Sequence, residues 1–148
     1  MGRVDSEQAI STIHAAINQG ISFLDTAEQY NTSESILGKA LKGYREKIFL
    51  ATKVSGEEHS ESHIRSAVEN SLQSLNTDYL DLYQLHSPQP KWPIDKTMDI
   101  LTKLKDEGKI RYIGISNFST AQTGEAIKYG NINSSQPRYN LIFPGDQN

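Results

Sequence analysis

The sequence predicts an α/β fold in which five parallel strands with flanking helices form part of a (β/α)8 TIM barrel. Five short apolar runs alternate with helix-like segments, and this alternation is typical of repeated βα units. Each run ends in a polar residue that can take part in chemistry, and the strands of a parallel barrel all end at one rim. The glycine motifs of open nucleotide-binding sheets, G-x-G-x-x-G and the P-loop, are missing, which favours the barrel over a doubly wound sheet.

Amphipathic periodicity and terminating residues predict the helices. Apolar residues recur every three or four positions in each helical segment, and glycines follow several of the segments. At the first helix we expect Asp5 or Ser6 to cap the amino end, with Gln8 completing the cap. The predicted helices run from Asp5 or Ser6 to Gly20, over residues 33–42, 61–75 and 95–107, and from Ser119 or Thr120 to Gly130.

Apolar runs between these helices predict the strands. They cover residues 21–25, 48–54, 79–85, 110–115 and 132–135. Because the carboxyl ends of parallel strands lie at the same edge of a sheet, we expect the polar residues found there to surround one site. Those residues are Asp25, Lys53, His86, Ser116, Asn117 and Gln136.

The length is too short for a complete barrel. Eight βα units need about 250 residues and at least roughly 200, whereas this chain has 148. Five strands leave two unpaired edges and an apolar inner face that nothing covers. We therefore expect an internal portion of a barrel, a truncated product, or a chain that needs a partner to close it. The exposed sheet edges would allow a homo-oligomer.

The composition excludes several classes of protein. The chain has 15 basic and 18 acidic residues and a formal net charge of -3, which gives no reason to expect nucleic acid or an anionic membrane as partner. It contains no cysteine, so disulfides, zinc–thiolate sites and cysteine nucleophiles are excluded. The start of the chain lacks an apolar signal region and no run is long enough to cross a bilayer, so the expected location is cytoplasmic.

Two histidines suggest a metal site that the rest of the sequence does not support. His59 and His63 are four residues apart and stand beside Glu57 and Glu58. No third ligand of the right kind stands in a fixed relation to them. We expect a solvated helix start at this point and no metal.

Four residues at or just after strand ends form a coherent chemical set: Asp25, Tyr30, Lys53 and His86. A tyrosine hydroxyl, whose ordinary pKa is about 10, is a poor proton donor near neutrality, and a neighbouring ammonium lowers that pKa. Lys53 can supply the ammonium, Asp25 can hold it charged, and His86 can orient a carbonyl oxygen. The set suits protonation of an oxygen while a hydride reaches the attached carbon. It lacks the nucleophile beside a base that acyl transfer requires.

Four motifs at these positions resemble those of the aldo-keto reductase family. They are FLDTAEQY at 23–30, ATK at 51–53, LYQLH at 82–86 and GISNF at 114–118. A further stretch, QPRYNL at 136–141, resembles the end of the family's sixth strand. The resemblance covers nearly the whole chain as strands two to six of the barrel. It implies one incomplete domain, residues 1–148, that lacks the first strand and the C-terminal strands.

The resemblance implies a (β/α)8 barrel that uses NADP(H) to reduce aldehydes and ketones, with a small-molecule carbonyl compound as substrate. By this resemblance Tyr30 is the general acid, Lys53 and Asp25 tune it, and His86 orients the carbonyl. Three residues match positions that hydrogen-bond the nicotinamide carboxamide: Ser116, Asn117 and Gln136. The strands outside the match carry most of the family's contacts to the cofactor phosphates.

One aromatic residue is a candidate for the substrate pocket. Trp92 lies in the proline-rich loop after the strand that ends at His86, and aromatic residues on such loops often contact ligands. The alternative is that Trp92 anchors the loop by packing.

Two alternatives to an enzyme remain open. The β subunits of potassium channels share this fold and the four catalytic residues, so a cofactor-binding regulatory subunit fits the same motifs. An inactive, truncated half-barrel fits the length of the chain.

Overall fold

The computed structural model describes residues 5–140, which form one parallel five-stranded sheet with helices packed against it. The strands lie in the sheet in the order of the chain, and each neighbouring pair is parallel. This half-barrel confirms the predicted fold class. The elements are α1 (Ser6–Asn18), β1 (Phe23–Asp25), α2 (Ser33–Ala40), a 3-10 turn (Arg45–Lys47), β2 (Phe49–Val54), α3 (Glu61–Leu75), β3 (Leu80–Leu85), α4 (Ile94–Asp106), β4 (Ile110–Ser116), α5 (Thr120–Ala126) and β5 (Ser134–Gln136).

The elements follow the predicted order and differ from the prediction mainly at their ends. α3 has the predicted bounds, whereas α5 ends at Ala126 and does not reach Gly130. The sequence of α5 contains two threonines and a glycine, which are weak helix formers, and this explains its early end. Gly20 and Gly108, predicted to follow α1 and α4, adopt the left-handed φ values of +92° and +77° that glycine tolerates. Leu141, the last residue of the QPRYNL stretch, lies outside the described residues.

Two predicted helix starts turn out differently. At α5 the Ser119 hydroxyl accepts from the Gln122 N–H at 3.3 Å, and the Gln122 side chain accepts from the Ser119 N–H at 2.9 Å. At α1 the predicted side-chain cap is wrong, because Asp5 stands at the N-cap without a side-chain cap hydrogen bond. The Asp5 carbonyl accepts the Ala9 N–H at 2.9 Å. Among residues 5–140, no side-chain hydrogen bond caps the start of α1.

The hydrophobic core lies between the helices and the outer face of the sheet. Successive residues of a strand point to opposite faces, so Leu50 and Val54 in β2 face the helices while Ala51 and Lys53 face the concave side. Leu50 and Val54 are fully buried and belong to the main apolar cluster together with Ile64 of α3. No helix within residues 5–140 is both long and apolar enough to cross a membrane.

The concave face of the sheet carries an aromatic row near the amino ends of the strands. Phe23 and Phe49 are register partners, and their rings stack with centroids 5.1 Å apart. Phe49 also stacks on Tyr112 of β4 at 5.9 Å, and both Phe23 and Tyr112 are exposed. This row is the uncovered apolar inner face that the sequence predicted. The same concave face carries the polar site at the other end of the strands.

Candidate active site

The carboxyl ends of β1 and β2 bring a carboxylate and an ammonium together. Asp25 is the last residue of β1, and its register partner Ala51 lies two positions before Lys53 on the same face of β2. Lys53 Nζ donates to Asp25 Oδ2 at 2.6 Å and to the Thr26 carbonyl at 2.9 Å. Lys53 is only 2% exposed. These two acceptors therefore stabilise a charge that has little contact with water.

A phenol and an imidazole lie beside this ion pair. The Tyr30 hydroxyl, in the loop after β1, is 3.4 Å from Nε2 of His86, which follows β3, and their rings meet edge to face. Lys53 Nζ lies 5.7 Å from the centre of the Tyr30 ring. Tyr30 is 45% exposed, so a substrate can reach its hydroxyl. The structure brings the four predicted catalytic side chains to one edge of the sheet, and their catalytic roles stay a prediction.

The electrostatics of this edge suit proton donation to a neutral oxygen. The ammonium of Lys53 would stabilise negative charge developing on the Tyr30 oxygen, since electrostatic interactions are stronger in a partly dry site than in water. Burial lowers the pKa of His86, and the Lys53 charge lowers it further, whereas the Asp25 charge opposes the shift. His86 is therefore neutral near pH 7, with one ring N–H and one lone pair to offer.

The three predicted cofactor residues lie directly next to the catalytic set. The Ser116 hydroxyl donates to the Gln136 carbonyl at 3.1 Å, and the Gln136 amide donates to Asp25 Oδ2 at 3.2 Å. Asn117 adopts φ +60°, which asparagine tolerates, and its amide donates to the His86 carbonyl at 2.9 Å. One hydroxyl and two carboxamides are a donor and acceptor set that complements a primary amide. The residues present fit a nicotinamide carboxamide, and this role also stays a prediction.

Sequence reasoning missed two polar residues that contact this set and a third that holds one of them. Gln84 of β3 donates to Asp25 Oδ1 at 3.3 Å, and the Ser55 hydroxyl lies 2.7 Å from Nδ1 of His86. Glu28 accepts the backbone N–H of Ser55. The only available signal was a polar residue within or directly after an apolar run. Their contacts depend on strand register, which a single sequence does not state.

A glycine in β4 makes room for one of these residues. Gly114 is the register partner of Gln84, and a Cβ at Gly114 would lie 2.8 Å from Gln84 Cγ and 3.1 Å from Leu82 Cδ1. Any larger residue there would push Gln84 away from Asp25. Over the described part of the chain, Gln84 Oε1 is buried and has no hydrogen-bond partner.

Trp92 occupies a cleft beside the rim. The cleft has a volume of about 290 Å³, and its wall includes Trp92, Phe118 and His59 but none of the four catalytic candidates. The Trp92 indole N–H donates to the Glu57 carbonyl at 3.0 Å, which ties the loop after β3 to the loop after β2. The anchoring alternative thus has a direct contact, and the substrate-pocket role stays a prediction.

The histidine pair at 59 and 63 lies at the start of α3. His59 is buried, and burial followed by the nearby His63 charge lowers the pKa of His59 to about 4. Among residues 5–140, no three His, Cys, Asp or Glu side chains are grouped so as to hold a metal ion.

Comparison with known proteins identifies related chains along the whole sequence. A model of the "Aldo/keto reductase family" matches residues 1–148. The aldo-keto reductase YhdN of Bacillus subtilis (strain 168) is 43% identical over 153 residues, a match that covers 95% of this chain and 46% of that protein.

Solved structures show the same relationship in three dimensions. The holo form of aldo-keto reductase AKR11C1 from Bacillus halodurans superposes with a TM-score of 0.87 at 40% identity, over 93% of this chain and 50% of that one. An aldo/keto reductase from Klebsiella pneumoniae, solved in complex with NADP and acetate, gives a TM-score of 0.83 at 34% identity, over 90% and 49% of the two chains. The chain spans about half the length of these relatives.

Proposed function

Because this chain belongs to the aldo/keto reductase family, we propose that it carries the catalytic residues of an NADP-dependent oxidoreductase that reduces aldehyde and ketone carbonyls. The observation that carries the proposal is the meeting of the Tyr30 hydroxyl with His86 beside the ion pair of Lys53 and Asp25. Relatives solved with NADP and with NADPH support the choice of cofactor.

Each of the four residues has a defined task in this proposal. When bound, the reduced nicotinamide supplies a hydride to the carbonyl carbon. Tyr30 donates its hydroxyl proton to the carbonyl oxygen, and the ammonium of Lys53 stabilises the phenolate that remains. Asp25 keeps Lys53 charged through the 2.6 Å bond. His86 donates a hydrogen bond to the carbonyl oxygen and so holds it within reach of Tyr30.

The cofactor proposal uses three residues next to this set. Ser116, Asn117 and Gln136 would hold the carboxamide of the nicotinamide, since their hydroxyl and amide groups lie beside Asp25 and His86. A bound carboxamide would take over hydrogen bonds that these residues now make with one another and with the catalytic residues.

The substitution Tyr30→Phe tests the proposal. In a complete-barrel version of the protein, we expect kcat for carbonyl reduction to fall by about 10²–10⁴-fold, the usual contribution of a general acid, with NADPH affinity unchanged. Tyr129→Phe is the matched control, because Tyr129 is also an exposed tyrosine and lies after α5. Unchanged turnover in Tyr30→Phe would exclude Tyr30 as the acid.

Turnover and NADPH binding measured on the 148-residue chain itself separate the alternatives. Product formation supports the enzyme, and retention of NADPH without product would favour a regulatory subunit. Neither turnover nor binding would favour an inactive half-barrel.

We also propose, from the sequence, a cytoplasmic location, since the absence of cysteine fits a reducing compartment. Self-association through β1 and β5 is a further proposal, because each of these edge strands has one strand neighbour in the described sheet.

A further inference from the structure

The two ring nitrogens of His86 have different neighbours. Nε2 faces the Tyr30 hydroxyl at 3.4 Å, and Nδ1 faces the Ser55 hydroxyl at 2.7 Å on the opposite side of the ring. Ser55 directly follows β2 and is buried. The shorter of the two contacts is thus the one on the side away from Tyr30, and Ser55 has no part in the chemistry described above.

The position of the proton on His86 decides what the ring can do. A neutral imidazole carries its single N–H on either Nδ1 or Nε2, and the hydrogen bond at one nitrogen selects the state of the other. A substrate carbonyl oxygen can only accept. Only the tautomer with the proton on Nε2 can therefore donate to it, and a hydrogen-bond donor at Nδ1 stabilises that tautomer.

A serine hydroxyl at Nδ1 can act as this hydrogen-bond donor. A backbone carbonyl in its place would force the proton onto Nδ1, whereas a hydroxyl can donate. Within residues 5–140, His86 is the only hydrogen-bond partner of the Ser55 hydroxyl, so the hydroxyl proton is free to point at Nδ1. The charge of Lys53 on the Tyr30 side disfavours a second proton on the ring.

The backbones of both residues are held in place. The Ser55 N–H donates to Glu28, and the His86 N–H donates to the Val54 carbonyl at 3.0 Å. The His86 carbonyl accepts from Asn117 at 2.9 Å. The short contact between the two side chains therefore joins two fixed points at the ends of neighbouring strands.

We propose that Ser55 is a positioning residue whose hydroxyl donates to Nδ1 of His86 and holds the ring in the neutral tautomer with its proton on Nε2. The catalytic role of this hydrogen bond rests on the proposed function, because the proton on Nε2 is the one that orients a carbonyl oxygen. The tautomer itself is independent of any activity. Glu28 supports Ser55 by fixing its backbone.

Nitrogen NMR of the full chain labelled with ¹⁵N tests the tautomer directly. The chain has four histidines, and the His86→Gln spectrum identifies the His86 signals by their loss. We expect a pyridine-type Nδ1 and a pyrrole-type Nε2 for His86 at neutral pH. The reverse assignment in the unchanged protein would overturn the proposal, and this measurement needs no variant of Ser55.

Substitution of Ser55 gives the second test. In Ser55→Ala we expect the His86 signals to move toward a mixture of the two tautomers, and in Ser55→Thr, which keeps the hydroxyl, to stay as in the unchanged protein. Ser71→Ala is the matched control, since Ser71 is another buried serine and its hydroxyl has no partner in the described part of the chain. A His86 spectrum unchanged in Ser55→Ala would show that Ser55 does not set the tautomer.

Kinetics then separate this inference from the proposed function. In a complete-barrel version, Ser55→Ala should lower kcat about tenfold with little change in KM for NADPH, and Ser55→Thr should restore it. The expected tautomer in a protein without turnover would uphold the positioning by Ser55 and remove the carbonyl reductase function. Normal turnover with the opposite tautomer would overturn the role of Ser55 and the hydrogen bond from His86 to the carbonyl oxygen, and would leave carbonyl reduction itself in place.

Discussion

The half-barrel holds a carboxylate paired with a cation at each end of its sheet, and the two carboxylates differ in their burial and in their partners. The rim cluster, at the carboxyl ends of the strands, is Asp25 with Lys53, Gln84 and Gln136. The base cluster, near the amino ends, is Asp81 with Arg45 and Arg111. The Asp81 side chain is 5% exposed and that of Asp25 is 24% exposed.

In the base cluster the carboxylate is buried and both of its oxygens have hydrogen-bond partners. Asp81 accepts from Arg45 at 2.8 Å, from Arg111 at 2.9 Å and from the backbone N–H of Leu50 at 2.9 Å. The two guanidinium groups also lie 4.0 and 3.8 Å from the centre of the Tyr79 ring. Such a network holds β2, β3 and β4 together, and it uses both oxygens of the Asp81 carboxylate.

The rim cluster lies among hydrogen-bonding groups that can still take other partners. Tyr30 is exposed there, and Gln84 has a buried oxygen with no partner within residues 5–140. In barrels of this type the amino ends of the strands serve stability and the carboxyl ends serve chemistry. The comparison teaches that a carboxylate paired with a cation can serve stability or chemistry. Which of the two it serves depends on whether all hydrogen-bonding groups of the cluster already have partners.

The largest expected effect on stability is at the base. Asp81→Ala leaves Arg45 and the Leu50 N–H without their partner in a buried place, and we expect a loss of about 3–5 kcal/mol in the free energy of unfolding. Urea denaturation of the full chain measures it. Asp99→Ala is the control, since Asp99 bonds Lys103 on the exposed side of α4. A loss at Asp81 no larger than at Asp99 would contradict a structural role for the base cluster.

Acid should destabilise the chain through a buried histidine, His59, near the rim. The pKa of buried His59, near the rim, falls to about 4 in the folded chain, so the unfolded chain binds this proton first as the pH drops. The contribution of neutral His59 to the free energy of unfolding is fully present above about pH 6.5. It is lost as the pH falls from about 6.5 to about 4, and it amounts to about 2 kcal/mol after allowance for solvent screening.

The variant His59→Gln checks the assignment of this acid sensitivity. The difference in unfolding free energy between the unchanged chain and His59→Gln should shrink as the pH falls through this range, measured by urea denaturation at several pH values. If the unfolding free energies of the two proteins changed in parallel with pH, His59 would be ruled out as a source of the acid sensitivity. His86, whose pKa is also lowered, should leave a smaller slope of the same sign in the variant.

The smallest change in stability is expected from Lys53→Met at the rim. Methionine fills the same buried volume without a charge to desolvate, and Asp25 keeps two amide donors and contact with water. We expect the unfolding free energy to change by less than about 1 kcal/mol, while carbonyl reduction in a complete-barrel version is lost. A loss of stability as large as that of Asp81→Ala would mean that the rim cluster is as structural as the base cluster.

Much of the fold could be predicted from the sequence because the spacing of apolar residues and the residues that end a helix are local features of the chain. The spacing of Ile64, Val68, Leu72 and Leu75 defines α3 to its last residue. The start of α1 could not be predicted in the same way, because several polar residues near Asp5 were able to cap it and the choice depends on side-chain orientation. The early end of α5 depends on the balance of weak helix formers.

The candidate site was predictable only in part. Asp25, Lys53 and His86 stand at the ends of apolar runs, and parallel strands bring such positions to one edge. Ser55 and Gln84 gave no comparable signal, since their partners are 31 and 59 residues away in the chain. Register decides those contacts.

By itself, the sequence determined the order of strands and helices, the parallel half-barrel and the edge at which its polar residues gather. The reason is that hydrophobic periodicity and the alternation of strands with helices are properties of the linear sequence. Only the tertiary structure decided which hydrogen bonds those residues make: that Asp81 is saturated by two arginines, that Asp25 is shared by a lysine and two amides, and that Ser55 faces Nδ1 of His86. A hydrogen bond forms or fails within a few tenths of an ångström, and such distances are set by register and packing between segments far apart in sequence.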